Sequence, residues 1–209
     1  MARLKHLGLE TNPGTTGRLP TVAVPGLDAT IAEGGFGKSQ FAVQTQHLID
    51  AGPNWDVVIC AGVSGALDTG VRIGDIVVGT ETVEHDIYFS TDRPRPRFGG
   101  SEPIITELQS VDMESAEFNI YFGAIASGDE AVIATQRRAE VQAITGALAV
   151  AWEGAGGARA AEFSNLPFVE LRGISDMADQ SLGSDFFANI PITMKNIAEF
   201  VSTWCGIRP

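Results

Sequence analysis

Residues 168–179 constrain the fold of this chain more than any other segment. The first half is apolar and rich in strand-forming side chains, and the second half is a polar turn that carries acidic residues. In sheets flanked by helices, ligands bind beyond the carboxyl ends of the strands, so Asp176 stands at a position suited to chemistry. A partly desolvated carboxyl group there keeps its proton to a higher pH, which suits a general acid. Aspartate is also a common helix cap, and the local sequence leaves both interpretations open.

The rest of the chain alternates strand-like and helical patterns. Residues 55–61 are apolar apart from Asp56, a pattern typical of a strand covered on both faces, whereas residues 154–163 are rich in small residues and have a helical pattern. This alternation predicts an α/β fold with a mostly parallel or mixed sheet, in a single domain over residues 1–209. Four predicted strand ends carry glycine-rich or polar turns, and their meeting at one edge would form one pocket. These turns are residues 62–67, 127–129, Glu153 and 175–179.

Composition excludes several classes of partner. The formal net charge of −12 argues against nucleic acid and anionic membranes, because both need a basic surface. The Arg93–Arg97 cluster is short and interrupted by proline, so we interpret residues 90–103 as an exposed loop. Cys60 and Cys205 lie far apart in apolar surroundings and are expected to be buried thiols rather than a disulfide. With no signal-like or membrane-length apolar run, we expect a soluble cytoplasmic protein.

Seven segments together resemble the purine nucleoside phosphorylase/nucleosidase superfamily, and most closely its 5′-methylthioadenosine/S-adenosylhomocysteine nucleosidase branch. The resemblance covers most of the chain from about residue 20 and depends on the order of the motifs. It implies a three-layer α/β/α sandwich around a central mixed, twisted sheet, no cofactor or metal, and a homodimer with a small nucleoside substrate. The segments are Gly34–Lys38, Asp56–Leu67, Arg72–Val78, His85–Asp86, Ser127–Asp129, Ala149–Glu153 and Pro167–Asp179.

The family's ribose-binding glutamate has two candidates in this chain. Met113-Glu114 resembles the family motif in composition, but it precedes the Ser127–Asp129 turn, whereas the family motif follows it. Glu153 lies 23 residues before Asp176, close to the family spacing, and ends a predicted apolar strand. Because a buried glutamate without a partner is costly, we favour a functional role for Glu153. Glu114 is expected to be solvated.

The resemblance implies roles that fit the chemistry of N-glycosidic cleavage. This reaction builds positive charge on the ribose and negative charge on the leaving base. Asp176, held by Ser175, would protonate the base, and Glu153 would anchor the ribose hydroxyl groups. Further substrate-binding positions implied by the resemblance are Val132 and its backbone neighbours at the base, Trp152 at the ribose or base, Ser64 and Gly65 near the water or phosphate, and Phe36 at the 5′ substituent. Trp152 can equally be core packing.

Charge separates the two possible reactions. A phosphorylase must bind a phosphate dianion, and its family branches place an arginine just before the turn that corresponds to residues 62–65. Here the uncharged Cys60 and Ala61 stand there, and the earlier glycine turn offers only Lys38. The sequence therefore predicts a nucleosidase, an N-glycosyl hydrolase that uses water. The alternatives are a phosphate-dependent phosphorylase and a catalytically impaired nucleoside-binding homologue.

Two departures from the family pattern accompany the resemblance. The chain matches the family only after the first strand, so the usual first strand and its water-activating glutamate have no counterpart; Glu10 and Glu33 are the nearest carboxylates. General-base catalysis contributes about 10²–10⁴-fold, so a slower enzyme is expected. Ala131 stands where the nucleosidases have an aromatic residue against the base, which leaves room for another nucleoside.

Overall fold

The fold is seen in a computed structural model that describes residues 8–89, 93–180 and 182–207. It contains nine strands and five α-helices in the described residues, in the order that the sequence predicts for an α/β protein. The strands are β1 (Asn12–Thr16), β2 (Leu19–Val24), β3 (Ala29–Ala32), β4 (Val58–Ala66), β5 (Ile76–Glu84), β6 (Arg97–Gly99), β7 (Ile120–Ser127), β8 (Ala149–Ala151) and β9 (Phe168–Asp176). The helices are α1 (Gly37–Ala51), α2 (Glu102–Gln109), α3 (Thr135–Thr145), α4 (Gly154–Phe163) and α5 (Leu182–Trp204).

The strands form two sheets. A small antiparallel sheet has the order β1-β2-β3, and the expected turn at Pro25–Leu27 joins its last two strands. The central sheet has the order β6-β5-β7-β8-β4-β9, and an additional antiparallel pairing of β5 with β9 closes it on itself. Parallel and antiparallel pairs both occur, so the predicted mixed α/β fold with a central mixed sheet is confirmed. The closure was not predicted from the sequence.

Strand β9 is the centre of the fold because it is buried over its whole length. On one face, Val169 and Leu171 share a core with Ile197 and Phe200 of α5. The opposite face lies against α4, whose glycine and alanine residues allow the helix to approach closely. Successive side chains of a strand point to opposite faces, so helices on both sides require an apolar run rather than alternation. This is why the pattern of residues 168–174 identified a central strand.

Several local predictions were wrong. The segment at 90–103 is not all loop, since β6 pairs with β5 and α2 begins at Glu102; residues 90–92 lie outside the described part. Proline usually breaks a helix, so the sequence predicts an interruption of the C-terminal helix near Pro191; α5 nevertheless runs through Pro191, and its later half has core contacts through Ile197 and Phe200. Cys60 is a buried free thiol as expected, but Cys205 is exposed.

Part of the central sheet lacks a pairing partner. In the described residues, β3 pairs only with β2, and residues 58–64 of β4 pair only with β9. Ala61 is exposed although it lies in the middle of β4. Residues 120–124 of β7 likewise pair only with β5, so within the described residues the central sheet is open along both β4 and this part of β7. No described helix is long and apolar enough to span a membrane.

Candidate active site

The register of the central sheet brings the four predicted turns together. Gly65 of β4 is paired with Asp176 of β9 on one side and with Val150 of β8 on the other. Ser127 at the end of β7 is paired with Ala151, directly before Trp152 and Glu153. The strand ends that the sequence marked as polar therefore lie side by side at one end of the sheet.

Asp176 is almost fully buried, with 2% of its surface exposed. The Ser175 hydroxyl donates to its Oδ2 over 2.8 Å, and the backbone N–H of Ala178 donates to its Oδ1 over 2.9 Å. Burial raises the pKa of Asp176, whereas these two hydrogen bonds act in the opposite direction. Gly65 provides the space, because a Cβ there would lie 2.8 Å from the Asp176 Oδ1 atom. The side chain is thus a fixed carboxyl group that holds its proton above the usual range of aspartate.

Glu153 has different surroundings, because it forms a salt bridge. Its Oε2 lies 3.1 Å from Nη1 of Arg172, and the Gly37 N–H lies 3.4 Å from its Oε1. Its side chain is 15% exposed and stands directly before the first residue of α4. The pairing fixes one oxygen and leaves further acceptor positions on the carboxylate for hydroxyl groups of a sugar.

Arg172 is the main residue that sequence reasoning missed. Its guanidinium is buried beside β4, with Nη1 3.3 Å from the Val63 carbonyl oxygen, and it contacts both Glu153 and Glu170. The signal was a Glu-Leu-Arg sequence in an apolar strand, since residues two apart on a strand share a face. Opposite charges at such positions in a buried strand indicate an internal ion pair.

Lys38, the cation of the glycine turn, is held by two carboxylates. Its Nζ lies 2.8 Å from Glu84 Oε1 and also bonds Asp86. Burial disfavours its charge, but the hydrogen bonds that Lys38 donates to Asp86 and Glu84, together with the charges of these carboxylates, outweigh burial and raise the pKa of Lys38. Lys38 and Arg172 therefore already have carboxylate partners and offer little free charge to a phosphate dianion, whereas Arg138 of α3 donates to the Met177 carbonyl oxygen over 2.9 Å, next to Asp176.

A cleft of about 480 Å³ opens at the glycine turn; its lining includes Gly37, whose N–H lies 3.4 Å from Glu153 Oε1, but not Glu153 or Asp176 themselves. Phe36, which is 75% exposed, and Trp152, which is 39% exposed, both line it, as does Ala131. The Trp152 indole N–H donates to the Glu130 carbonyl oxygen over 3.0 Å, which fixes the ring at the rim. The cleft is lined by Phe36, Gly37, Ser39, Gln40, Asp129, Ala131 and Trp152.

The remaining candidates lie in the interior or on the surface. The Val132 side chain packs in a core cluster, so only its backbone is placed to contact a base. The neighbouring Ala131 lines the cleft. Ser64 is buried, and its carbonyl oxygen lies 3.2 Å from the Ser175 hydroxyl. Glu10 and Glu33 are solvent-exposed. Glu114 is exposed as expected, in a turn after α2.

Comparison with known proteins agrees with this arrangement. The sequence profile of the phosphorylase superfamily matches residues 4–204. The chain is 32% identical to the 5′-methylthioadenosine/S-adenosylhomocysteine nucleosidase of Actinobacillus succinogenes over 186 residues, which are 85% of this chain and 80% of that relative.

Solved structures give the same result. The nucleosidase of the same name from Colwellia psychrerythraea, in complex with adenine, matches with a TM-score of 0.88 and 25% identity, covering 98% of this chain and 89% of that one. The enzyme of Neisseria meningitidis, in complex with methylthio-immucillin-A, matches with a TM-score of 0.83 and 27% identity, covering 97% and 93% of the two chains. The resemblance predicted from the motifs is confirmed, and the chain belongs to the phosphorylase superfamily, in its 5′-methylthioadenosine/S-adenosylhomocysteine nucleosidase family.

Proposed function

We propose that this protein is an N-glycosyl hydrolase that cleaves the bond between base and ribose in a purine nucleoside such as 5′-methylthioadenosine or S-adenosylhomocysteine. Nucleosidases of this specificity match most of the chain. The observation that carries the proposal is a pair of carboxyl groups at one end of the sheet, of which one is buried and favours its proton and the other is ion-paired. Two carboxyl groups with such different surroundings are suited to different roles in one reaction.

In our mechanism, Asp176 protonates the departing base. Bond cleavage moves electrons onto the base, and a carboxyl group that keeps its proton relieves this charge by donating it. Ser175 and the Ala178 N–H hold the two carboxyl oxygens, so the acid has a fixed direction. We expect burial of Asp176 to strengthen its interaction with the departing base, because electrostatic effects are larger in a low-dielectric site.

Glu153 acts on the sugar. Its carboxylate accepts hydrogen bonds from the ribose hydroxyl groups and stabilises the positive charge that develops on the ring. Phe36, in the glycine turn, and Trp152, directly after β8, both line the cleft and supply apolar surface for the nucleoside. We assign Phe36 to the 5′ substituent, Ala131 and the Val132 backbone to the base, and Ser64 and Gly65 to the region of the attacking water.

Water rather than phosphate is the nucleophile in this proposal. Arg172 has two carboxylate partners and Lys38 has two, so each cation is already neutralised by the protein. A phosphate dianion would have to displace one of these carboxylates, at a large cost in desolvation. Water carries no charge and makes no such demand.

We further propose that the protein acts in the cytoplasm as a homodimer. Free cysteines and a formal charge of −12 fit a reducing, aqueous compartment. Large apolar side chains near the cleft are solvent-exposed in the single chain, and a second copy would cover them. These side chains include Phe36, Tyr88 and Ile133. Size-exclusion chromatography with light scattering measures the mass directly, and a monomer at micromolar concentration contradicts the dimer.

The test of the reaction is chromatography of the products from a panel of purine nucleosides, with and without phosphate. A nucleosidase releases free base and free sugar at a rate independent of phosphate. Turnover that requires phosphate and yields a sugar 1-phosphate would establish a phosphorylase instead. Calorimetric binding without release of base, at high protein concentration, would establish a nucleoside-binding protein.

A further inference from the structure

An internal cluster of charged groups lies beneath Glu153. Glu170 and Arg172 are alternate residues of β9 and therefore point to the same face of the strand. Glu170 is 1% exposed and Arg172 is 3% exposed, in a strand that is otherwise apolar apart from its end. Charged side chains this deeply buried need partners, and the partners connect the cluster to the proposed ribose site.

Both oxygens of Glu170 are occupied. The Thr82 hydroxyl of β5 donates to Oε2 over 2.5 Å, and Nε of Arg172 donates to Oε1 over 2.7 Å. From the other end of the same guanidinium, Nη1 reaches Oε2 of Glu153 at 3.1 Å. Arg172 is planar and rigid, so fixing its Nε fixes the direction of its Nη1. A continuous path of contacts therefore runs from Thr82 through Glu170 and Arg172 to Glu153.

The backbone leaves space for this cluster at three glycines. Gly79 is paired with Glu170 and Gly62 with Arg172, so on one side of each charged residue the neighbouring strand places no side chain. On the other side of Glu170 lies Cys60, whose Sγ is 3.3 Å from Nη2 of Arg172. A Cβ on Gly154, the first residue of α4, would lie 2.2 Å from Glu170 Oε2, and a Cβ on Gly62 would lie 2.8 Å from Arg172 Nη1. Glycine inside strands and helices lowers stability, so the three glycines cost folding free energy in return for the space that the ion pair occupies.

Stability alone is a weak reason for such a cluster. Replacing buried ion pairs by apolar side chains of similar size is often neutral or stabilising, because desolvation of the charges is expensive. The contact of Arg172 with Glu153 supplies a different reason. Without Glu170, the guanidinium would have Glu153 as its only carboxylate partner among the described residues and no anchor at Nε.

We propose that Glu170 is a positioning residue for the reaction: anchored by Thr82, it orients Arg172 and thereby fixes the carboxylate of Glu153 toward the ribose. This inference rests on the proposed nucleosidase function and adds a residue that does not itself touch the substrate. Glu170 also shares the charge of Arg172, so that Glu153 keeps acceptor capacity for the sugar hydroxyls instead of serving as the sole counter-ion.

The test is a double-mutant cycle between Glu170→Gln and Glu153→Gln. Glutamine at 170 keeps the shape, accepts from Arg172 Nε and donates to the Thr82 oxygen, but it removes the charge. We expect Glu170→Gln alone to lower kcat/KM by about 10- to 100-fold, because small misplacement of a catalytic group has effects of this size. In the Glu153→Gln background the same change is expected to cost less than about twofold, since the group it positions is gone.

A separate pair of variants keeps the test independent of folding. Thr82→Val removes the hydroxyl at nearly constant volume and is expected to lower activity, as Glu170→Gln does. Thr82→Ser keeps a hydroxyl and is expected to retain most of the wild-type activity. Rates are compared at a temperature where thermal unfolding shows every variant fully folded. Gly154→Ala displaces the Glu170 carboxylate and is expected to cost activity in the wild type but not in a Glu170→Ala background.

The outcomes separate this inference from the function on which it rests. Equal losses from Glu170→Gln in the presence and absence of Glu153, or full activity of the folded Glu170→Gln and Thr82→Val proteins, overturn the positioning role. A wild-type protein that releases no base from any nucleoside overturns the proposed function itself. Non-additive losses with an active wild type support both.

Discussion

The two carboxyl groups of the candidate site have the same chemistry but opposite surroundings. Asp176 is buried at the end of β9, where the Ser175 hydroxyl and the Ala178 N–H donate to it, and burial raises its pKa. Glu153 follows β8 and lies in a salt bridge with Arg172, on a partly exposed side chain. The first environment favours a neutral acid, and the second provides a counter-ion for a carboxylate. In the proposed mechanism, the surroundings of the two carboxyl groups, rather than their residue type, give them different roles.

The sharpest test of this comparison is Asp176→Asn. Because asparagine cannot donate a carboxyl proton, we expect base release to fall by about 10²–10⁴-fold. Purine release measured by chromatography checks the expectation, with exposed Asp112→Asn as the matched control. An undiminished rate in the folded Asp176→Asn protein would remove Asp176 from the mechanism.

The stability of Asp176→Asn is expected to depend on pH differently from that of the wild type. Since the folded-state pKa of Asp176 is raised, its contribution to stability is complete below the ordinary aspartate pKa and is lost as pH rises through the raised value. Asparagine has no such loss, so the Tm of Asp176→Asn relative to wild type should increase between acidic and neutral pH. Thermal unfolding across this range measures it, and a relative Tm that falls with pH contradicts the raised pKa.

The second test acts on the other carboxylate. Glu153→Gln keeps the shape but removes the charge, and we expect kcat/KM to fall by about 10²-fold because developing positive charge loses its stabilisation. Buried Arg172 loses one of its two carboxylates, so stability is expected to fall by about 1–3 kcal/mol. Kinetics and urea unfolding measure both, with Glu162→Gln on the exposed surface of the same helix as control. A Tm relative to wild type that increases from acidic to neutral pH, as expected for Asp176→Asn, would show that the two environments are alike.

A third variant displaces Asp176 without changing it. In Gly65→Ala, the new Cβ would lie 2.8 Å from Asp176 Oδ1 and 3.0 Å from the Ala178 Cβ, so the acid must move. We expect activity to fall by about tenfold or more, because positioning of the acid is part of its contribution. Gly99→Ala, where a Cβ meets no atom within 4 Å, is the matched control and should retain wild-type rates. Equal rates for the two variants would mean that Asp176 tolerates movement.

The smallest expected effect is on the pH profile. The rate should fall as pH rises through the raised pKa of Asp176, because the acid then loses its proton. The Ser175 hydroxyl bonds the carboxylate and opposes the shift, so in Ser175→Ala the pKa of Asp176 should rise further and the basic limb of kcat/KM should move to higher pH. Movement to lower pH would show that Ser175 instead favours the protonated acid.

Much of the scaffold was predictable from local pattern. The continuous apolar run identified β9, and the small-residue segment identified α4 with its observed bounds, 154–163. Strand β6 was missed because it is three residues long, lies in a segment rich in arginine and proline, and is a strand only by pairing with β5. The pairing of β5 with β9 was missed because antiparallel pairing between strands far apart in sequence produces no recognisable pattern in the sequence of either strand.

The candidate site divides in the same way. Asp176 and Glu153 were predicted because a polar residue ending an apolar strand is a local signal, and their spacing matched the family. Arg172 and Glu170 were missed because their significance depends on cross-strand neighbours, Cys60 and Gly62 on one side and Gly79 on the other. No local pattern reports what lies opposite a residue.

The sequence by itself determined the fold class and the family and predicted the two carboxyl groups of the candidate site, because apolar runs, turn residues and motif order are properties of the chain. Only the tertiary structure decided which group is desolvated and which is paired with a guanidinium. The physical reason is that a pKa and an ion pair depend on burial and on distances to other charges. Residues far apart in sequence set those distances, as Arg172 does for Glu153 and Gly65 does for Asp176.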